Sequence, residues 1–150
     1  MTTEELLLHH GLPALFLVSF LASTVIPLGS EWLLAALIVK GLPVGSLVLV
    51  ATLGNFLGAC TTYALGLWGS ALLIDKVLRL DRHKVEQATS LYRKYGCWSL
   101  LFSWLPIIGD PLCLAAGLLK LKPPTFAGLV ALGKLGRYVA VAAITTASLG

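Results

Sequence analysis

Charge is what this sequence has least of. Only 12% of its 150 residues are Asp, Glu, Lys or Arg, where an ordinary soluble domain carries about 25%. No Lys or Arg occurs before Lys40. The N-terminus therefore lacks the basic start of a secretory signal peptide, and the apolar stretch behind it is expected to remain in the protein. Cysteine is scarce as well: Cys60, Cys97 and Cys113 form no CxxC and have no histidine at ligand spacing, which argues against a disulfide framework or a metal site. His9, His10 and His83 have no metal-ligand company. No P-loop, dinucleotide fingerprint, nucleophile elbow or Ser-His-Asp set can be assembled. The reading is of a chain that is not an enzyme, takes no cofactor and binds no nucleic acid. What is there instead is apolar: 57% hydrophobic residues and a mean hydropathy of +0.89. The fold class is an all-α integral membrane protein.

Four apolar stretches stand out, at 12–39, 44–74, 96–119 and 123–149. The second and fourth are uninterrupted and exceed the roughly 20 residues that cross a bilayer core. The first is broken at Pro27, Gly29 and Glu31, and its residues 12–26 make a helix of only about 22 Å. The third is broken at Pro106, Gly109 and Pro111. Between the second and third lies the strongly charged segment 75–96, where Val85, Ala88, Leu91, Tyr92 and Tyr95 recur at helical spacing. It reads as an amphipathic helix on the membrane surface.

The two breaks are related. Pro27-Leu-Gly-Ser-Glu31 and Pro106-Ile-Ile-Gly-Asp110 each set a carboxylate four residues after a proline, 79 residues apart. The same offset carries Leu53-Gly54 onto Leu132-Gly133, Ala36 onto Ala115, Asn55 onto Lys134 and Gly58 onto Arg137. The chain thus reads as one membrane domain, 1–150, made of two repeats (about 12–68 and 97–149) separated by the amphipathic segment 75–96. If each broken stretch enters the membrane and returns, each repeat crosses once and the second is inverted on the first. Inverted repeats with broken helices at mid-depth are a transporter arrangement. Unwound backbone there is tolerated only inside protein or against a watery cavity.

Charge placement favours re-entry. With 75–96 cytoplasmic, Lys76, Arg79, Arg82, Lys84, Arg93, Lys94, Lys120 and Lys122 lie inside and only Lys40 outside, 8 against 1. Four full crossings give 6 against 3. The positive-inside rule selects the first, with both termini outside.

A charge at mid-bilayer costs about 2.5–3.5 kcal/mol on insertion scales and is a functional candidate by default. Glu31, Asp110, Lys134 and Arg137 qualify, with Asn55 as a neutral companion. Lys134 and Arg137 share one helix face. Three roles stay open: structural pairing, proton binding by Glu31 or Asp110, and attraction of a phosphate head group by Lys134 and Arg137. Gly54, Gly58, Gly133 and Gly136 are read as helix-packing positions.

The stretches "GNFLGACTTYALG", "RKYGCWSLLFSWLPIIGDPLCLAAG" and "GKLGRYVAVAA" resemble the DedA superfamily, also called the VTT or SNARE-associated domain, over about residues 14–147. The YqaA-like branch resembles this chain most, through Gly54-Asn55, Trp104-x-Pro106, Gly109-Asp110, Ala116-Gly117 and Gly133-Lys134-x-x-Arg137-Tyr138. The resemblance implies two re-entrant segments, flipping or scrambling of phospholipid or undecaprenyl phosphate, envelope functions that depend on proton-motive force, and an acidic residue where Glu31 stands. The chain departs from the superfamily's R-F-x-P-G-x-R motif: Ser103 and Gly109 stand at the arginine positions. Cys113 replaces a later proline, and Ala59 a common aspartate. The expected function is transport of an anionic or phosphate-bearing lipid in a bacterial inner membrane, with protons and membrane lipid as partners. The alternatives are a non-transporting structural or assembly factor, or a small-solute or ion transporter. A homo-oligomer is compatible with each.

Overall fold

The computed structural model describes residues 3–24, 29–69, 82–105 and 108–150. Pro27 and Pro106, and residues 75–81 of the charged segment, lie outside the described residues. The described chain contains six α-helices: α1 (Thr3–Ala22), α2 (Glu31–Val39), α3 (Val44–Trp68), α4 (Arg82–Tyr95), α5 (Gly109–Leu118) and α6 (Pro123–Ala147). A 3₁₀ segment, Gly96–Trp104, follows α4 directly.

Helices α3 and α6 are each 25 residues long and apolar enough to cross a bilayer by length and composition. The first broken stretch differs from its sequence reading. Its helix begins at Thr3 rather than near residue 12 and runs through Pro13 for 20 residues, about 30 Å. Leu6, Leu7 and Leu8, behind the acidic Glu4-Glu5 first turn, favour an early start. The argument from shortness, made for residues 12–26, therefore does not hold for α1. At 9 and 10 residues, α2 and α5 reach only about 14 and 15 Å, half a bilayer core.

Both short helices end alike. Leu42 N–H donates to the Leu37 carbonyl (3.2 Å) and Gly41 N–H to that of Ile38 (2.9 Å), with Gly41 at φ +86°. Leu121 N–H donates to Ala116 (3.0 Å) and Lys120 N–H to Gly117 (3.0 Å), with Lys120 at φ +53°. Each is a Schellman turn that reverses the chain into a long helix. Gly96, at φ +64°, ends α4 in the same left-handed conformation. The starts of the two long helices keep the 79-residue offset, α3 at Val44 and α6 at Pro123.

Helices α3 and α6 pack against each other. α1 packs on α3, the 3₁₀ segment on α6, α5 on α3 and α2 on α6. One core cluster joins Leu15, Leu34, Leu37, Leu47, Ala51 and Tyr138. A second joins Ala59, Tyr63, Leu100, Leu112, Ala116 and Phe126, with the Tyr63 and Phe126 rings stacked at 4.2 Å. The amphipathic helix α4 also differs from its sequence reading. Its apolar stripe docks on protein: Ala88 is buried, and Leu91 and Tyr92 pack against the second cluster. Its basic residues Lys84, Arg93 and Lys94 remain exposed.

Glycine lets these backbones touch. A methyl at Gly54 or Gly58 would stand 2.5 Å from the Phe16 or Phe20 carbonyl of α1. The tightest crossing joins α3 to α5, where a methyl at Gly117 or Gly66 would strike the Tyr63 or Leu114 carbonyl oxygen. Gly133 lies 3.0 Å, by the same measure, from the Leu101 carbonyl. Gly136 is not a packing glycine: among the described residues nothing lies within 4 Å of an added methyl. Overpacking costs about 1–3 kcal/mol, and a backbone oxygen cannot turn aside. Gly117→Val and Gly66→Val should therefore lower the melting temperature in detergent sharply. Gly136→Ala, facing open space, should change stability by no more than about 0.5 kcal/mol. Equal tolerance at all three positions would contradict the packing described.

Candidate functional site: two ion pairs on one helix face

Lys134, Arg137 and Tyr138 lie at positions i, i+3 and i+4 of α6 and so share a face. Lys134 is the twelfth residue of α6, as Asn55 is of α3; both sit at the middle of a helix long enough to span. The two short helices bring carboxylates to this face. Glu31 is the first residue of α2 and Asp110 the second of α5. Neither helix has a side-chain cap on its first N–H groups. A carboxylate in the first turn interacts favourably with those unpaired donors.

Each carboxylate meets one cation. Asp110 Oδ1 lies 3.5 Å from Lys134 Nζ, and Glu31 Oε1 is in direct contact with Arg137 Nη2. The pairs are built differently. Lys134 is 2% exposed. Its ammonium donates to Ser23 Oγ (3.3 Å), and Ser23 donates in turn to Asp110 Oδ1 (2.8 Å). Ser23 is itself anchored, because its carbonyl accepts from Thr62 Oγ1 at 3.0 Å. A buried cation is thus met by a carboxylate and by a hydroxyl that bridges the two. The Glu31 and Arg137 side chains keep 21% and 18% of their surface. They line a cavity of about 580 Å³ whose other walls include Leu101, Trp104, Leu132, Val141 and Ile144. Gly136 opens onto this cavity, which accounts for the space beside it. Gly29 makes room for the carboxylate, since a methyl there would stand 2.6 Å from Glu31 Oε2.

Tyr138, which follows Arg137 on α6, is fully buried. Its hydroxyl is 2.5 Å from Ser30 Oγ and accepts from Asn55 Nδ2 at 3.1 Å. Asn55 therefore touches neither carboxylate in this arrangement; it holds Tyr138, which holds the residue before Glu31. Four buried oxygens have no hydrogen-bond partner among the described residues: Ser19 Oγ, Thr52 Oγ1, Asn55 Oδ1 and Ser103 Oγ. Gly109 and Pro111 are buried at the start of α5, where a methyl on Gly109 would strike the Ser103 carbonyl. Among the described residues no group of His, Cys, Asp and Glu could hold a metal ion.

Sequence reasoning picked out the four charges and Asn55 but missed Ser23, Ser30 and Tyr138. Serines in an apolar run read as small packing residues. Available signals were the position of Ser30 beside Glu31 and that of Tyr138 four residues after Lys134 on one helix face.

Residues 26–147 match the family described as the VTT domain. An uncharacterized protein of Haemophilus influenzae is 38% identical over 142 residues, covering 88% of this chain and 85% of its own. The inner membrane protein YqaA of Escherichia coli is 41% identical over 133 residues, 88% of this chain and 89% of its own, and YqaA of Shigella flexneri aligns to the same extent. No solved structure matches.

The two pairs differ in what their loss should do. Asp110→Asn leaves the Lys134 ammonium buried without its counter-charge, a defect of about 3–5 kcal/mol. Glu31→Gln leaves Arg137 at a cavity wall, partly exposed, and should cost clearly less. Thermal unfolding of the two purified variants checks the order; equal losses would contradict the difference in burial.

Proposed function

The chain belongs to the VTT-domain family of membrane proteins, and from that premise we propose that it moves an anionic, phosphate-bearing lipid across the bilayer, as a flippase or scramblase rather than an enzyme. The observation that carries this reading is the cavity: an apolar space of about 580 Å³ with a carboxylate–guanidinium pair on its wall. Apolar walls suit acyl chains, and a guanidinium suits a phosphate through two parallel N–H bonds. A carrier of small ions would be expected to have a more polar lining. Outward-facing Trp32, Trp98, Leu132 and Ile144 are all more than half exposed and face lipid in this reading.

The arrangement proposed is that of two inverted repeats, each with a re-entrant break. The 79-residue offset between the starts of α3 and α6, the paired Schellman turns and the half-bilayer lengths of α2 and α5 support it. In this arrangement residues 75–96 are cytoplasmic and both termini outside. Two relatives are named inner membrane proteins, and the same membrane is proposed here. Glu31 is the proposed proton-binding group. A structural role has one specific observation in its favour, the Lys134–Ser23–Asp110 cluster, whose cation is buried. That cluster fits a lock within the transporter, and the open Glu31–Arg137 pair fits the substrate site.

Reconstitution into vesicles carrying fluorescent phosphatidylglycerol tests the proposal. The chain should speed movement between leaflets well above empty vesicles, and Arg137→Gln should return it to the empty-vesicle rate. Wild-type rates equal to empty vesicles, or full activity in Arg137→Gln, would overturn it. A reporter fused after Gly150 should read outside; a cytoplasmic signal would sink the re-entrant arrangement.

A further inference from the structure

We propose that one end of the molecule is a docking surface for acidic phospholipid: exposed cations of α4 and of the turn between α5 and α6 together hold the phosphate head groups of the leaflet that this end meets. The surface is separate from the cavity, because none of its residues lines that space. The inference therefore goes beyond the transport reading and stands without it. It starts from where the chain puts its basic side chains. Lys84, Arg93 and Lys94 on α4, and Lys120 and Lys122 just before α6, are all exposed. None of the five forms an ion pair among the described residues. The one acid on α4 is Glu86.

Packing brings the two groups to the same end. Leu91 and Tyr92 of α4, and Leu121 between the two lysines, pack against one core cluster. That cluster contains Tyr63 and Phe126, whose rings stack near the end of α3 and the start of α6. The Tyr63 hydroxyl donates to the Leu121 carbonyl, which pins the lysine turn to the end of α3. Lys122 is the N-cap of α6 and Lys134 its twelfth residue, so they stand about 18 Å apart along the axis. Half a bilayer core is about 15 Å. With Lys134 at mid-depth, Lys122 reaches the head groups. Trp68, Tyr95 and Trp98 are exposed at this end too, and such amphipathic rings settle at head-group depth. The other end differs in sign. Helix α1 runs parallel to α3, with Phe16 at Gly54 and Phe20 at Gly58. It therefore starts at the far end, with Glu4 and Glu5 in its first turn, and the basic residue where α2 turns into α3 is Lys40.

Cations gathered at one end repel each other. Acidic head groups relieve that repulsion, because each Lys or Arg near an anionic membrane surface is attracted to it. A choline head group carries its own cation and brings no net charge. Lysine suits the task, since its long stem can lie along apolar surface while the ammonium reaches the phosphates. Docking has a mechanical consequence as well. Helix α4 packs chiefly on α5 and on the 3₁₀ segment, and its basic side chains have no anionic partner from the spans. Phosphates shared between α4 and the Lys120–Lys122 turn tie the helix to the start of α6. Acidic lipid should therefore stabilise the folded chain.

Thermal unfolding of the full chain in neutral detergent, with short-chain phosphatidylglycerol or short-chain phosphatidylcholine added, tests the surface. Phosphatidylglycerol should raise the midpoint at low salt, phosphatidylcholine should not, and high salt should remove the gain. The triple variant Lys94→Gln, Lys120→Gln, Lys122→Gln changes only exposed side chains and should melt like the wild type without lipid. The phosphatidylglycerol concentration giving half the gain should rise about fivefold for each lysine removed. Arginine at the same three positions should keep the gain. Arg137→Gln separates this surface from the cavity and should also keep it. A gain lost in Arg137→Gln but kept in the glutamine triple variant would place the lipid in the cavity, which overturns the docking surface and supports the transport reading. Equal gains from both lipids, no gain from either, or a full gain in the glutamine triple variant would each overturn the proposal. The triple variant decides the matter even if Arg137→Gln fails to fold.

Discussion

A charge placed where a membrane helix breaks must be neutralised within the protein. Here the breaks supply carboxylates and one helix supplies both cations. Glu31 and Asp110 open the two short helices, and Arg137 and Lys134 stand one turn apart on α6 to receive them. The separation of the cations along α6 is about 4.5 Å, so α2 and α5 must bring their first turns to nearly the same depth. The Schellman turns after both helices and the glycine contacts of α3 with α1 and α5 serve that placement. Removing one partner of a pair would leave the other charge in the protein without its counter-charge.

The neutral contacts fix the register. Tyr138 ties Ser30, the residue before Glu31, to α3 through Asn55. Ser23, just past the end of α1, ties Asp110 to Lys134. The first turn of each short helix is thus fastened by a hydroxyl from a neighbouring element as well as by charge. Of the two pairs, Glu31 and Arg137 are the one that lines the 580 Å³ cavity.

Much of this was legible in the sequence because membrane burial makes charge conspicuous. Glu31, Asp110, Lys134 and Arg137 stand out against apolar neighbours, and each belongs to one of the two pairs. The two long apolar stretches at 44–74 and 123–149 followed from hydropathy alone, and α3 and α6 lie within them. Other features were hidden for physical reasons. The early start of α1 was hidden because Gly11 and Pro13, residues unfavourable in a helix interior, are accommodated inside it. The apolar stripe of α4 is equally suited to lipid or to protein, and only the position of α5 decides that it docks on protein. Which cation each carboxylate meets depends on how α2 and α5 approach α6. Gly66 and Gly117 read as ordinary small residues, although the closest backbone approach between α3 and α5 passes through them.

The specific pairing is the claim on which the account stands, and double-mutant cycles over all four carboxylate–cation combinations test it most directly. Each carboxylate is neutralised to its amide, Lys134 and Arg137 are replaced by glutamine, and unfolding free energies are measured in one detergent. The account predicts coupling clearly above the additivity error of about 0.5 kcal/mol for Glu31 with Arg137 and for Asp110 with Lys134. It predicts coupling within that error for Glu31 with Lys134 and for Asp110 with Arg137. Equal coupling in the crossed pairs, or none in the matched ones, would contradict it.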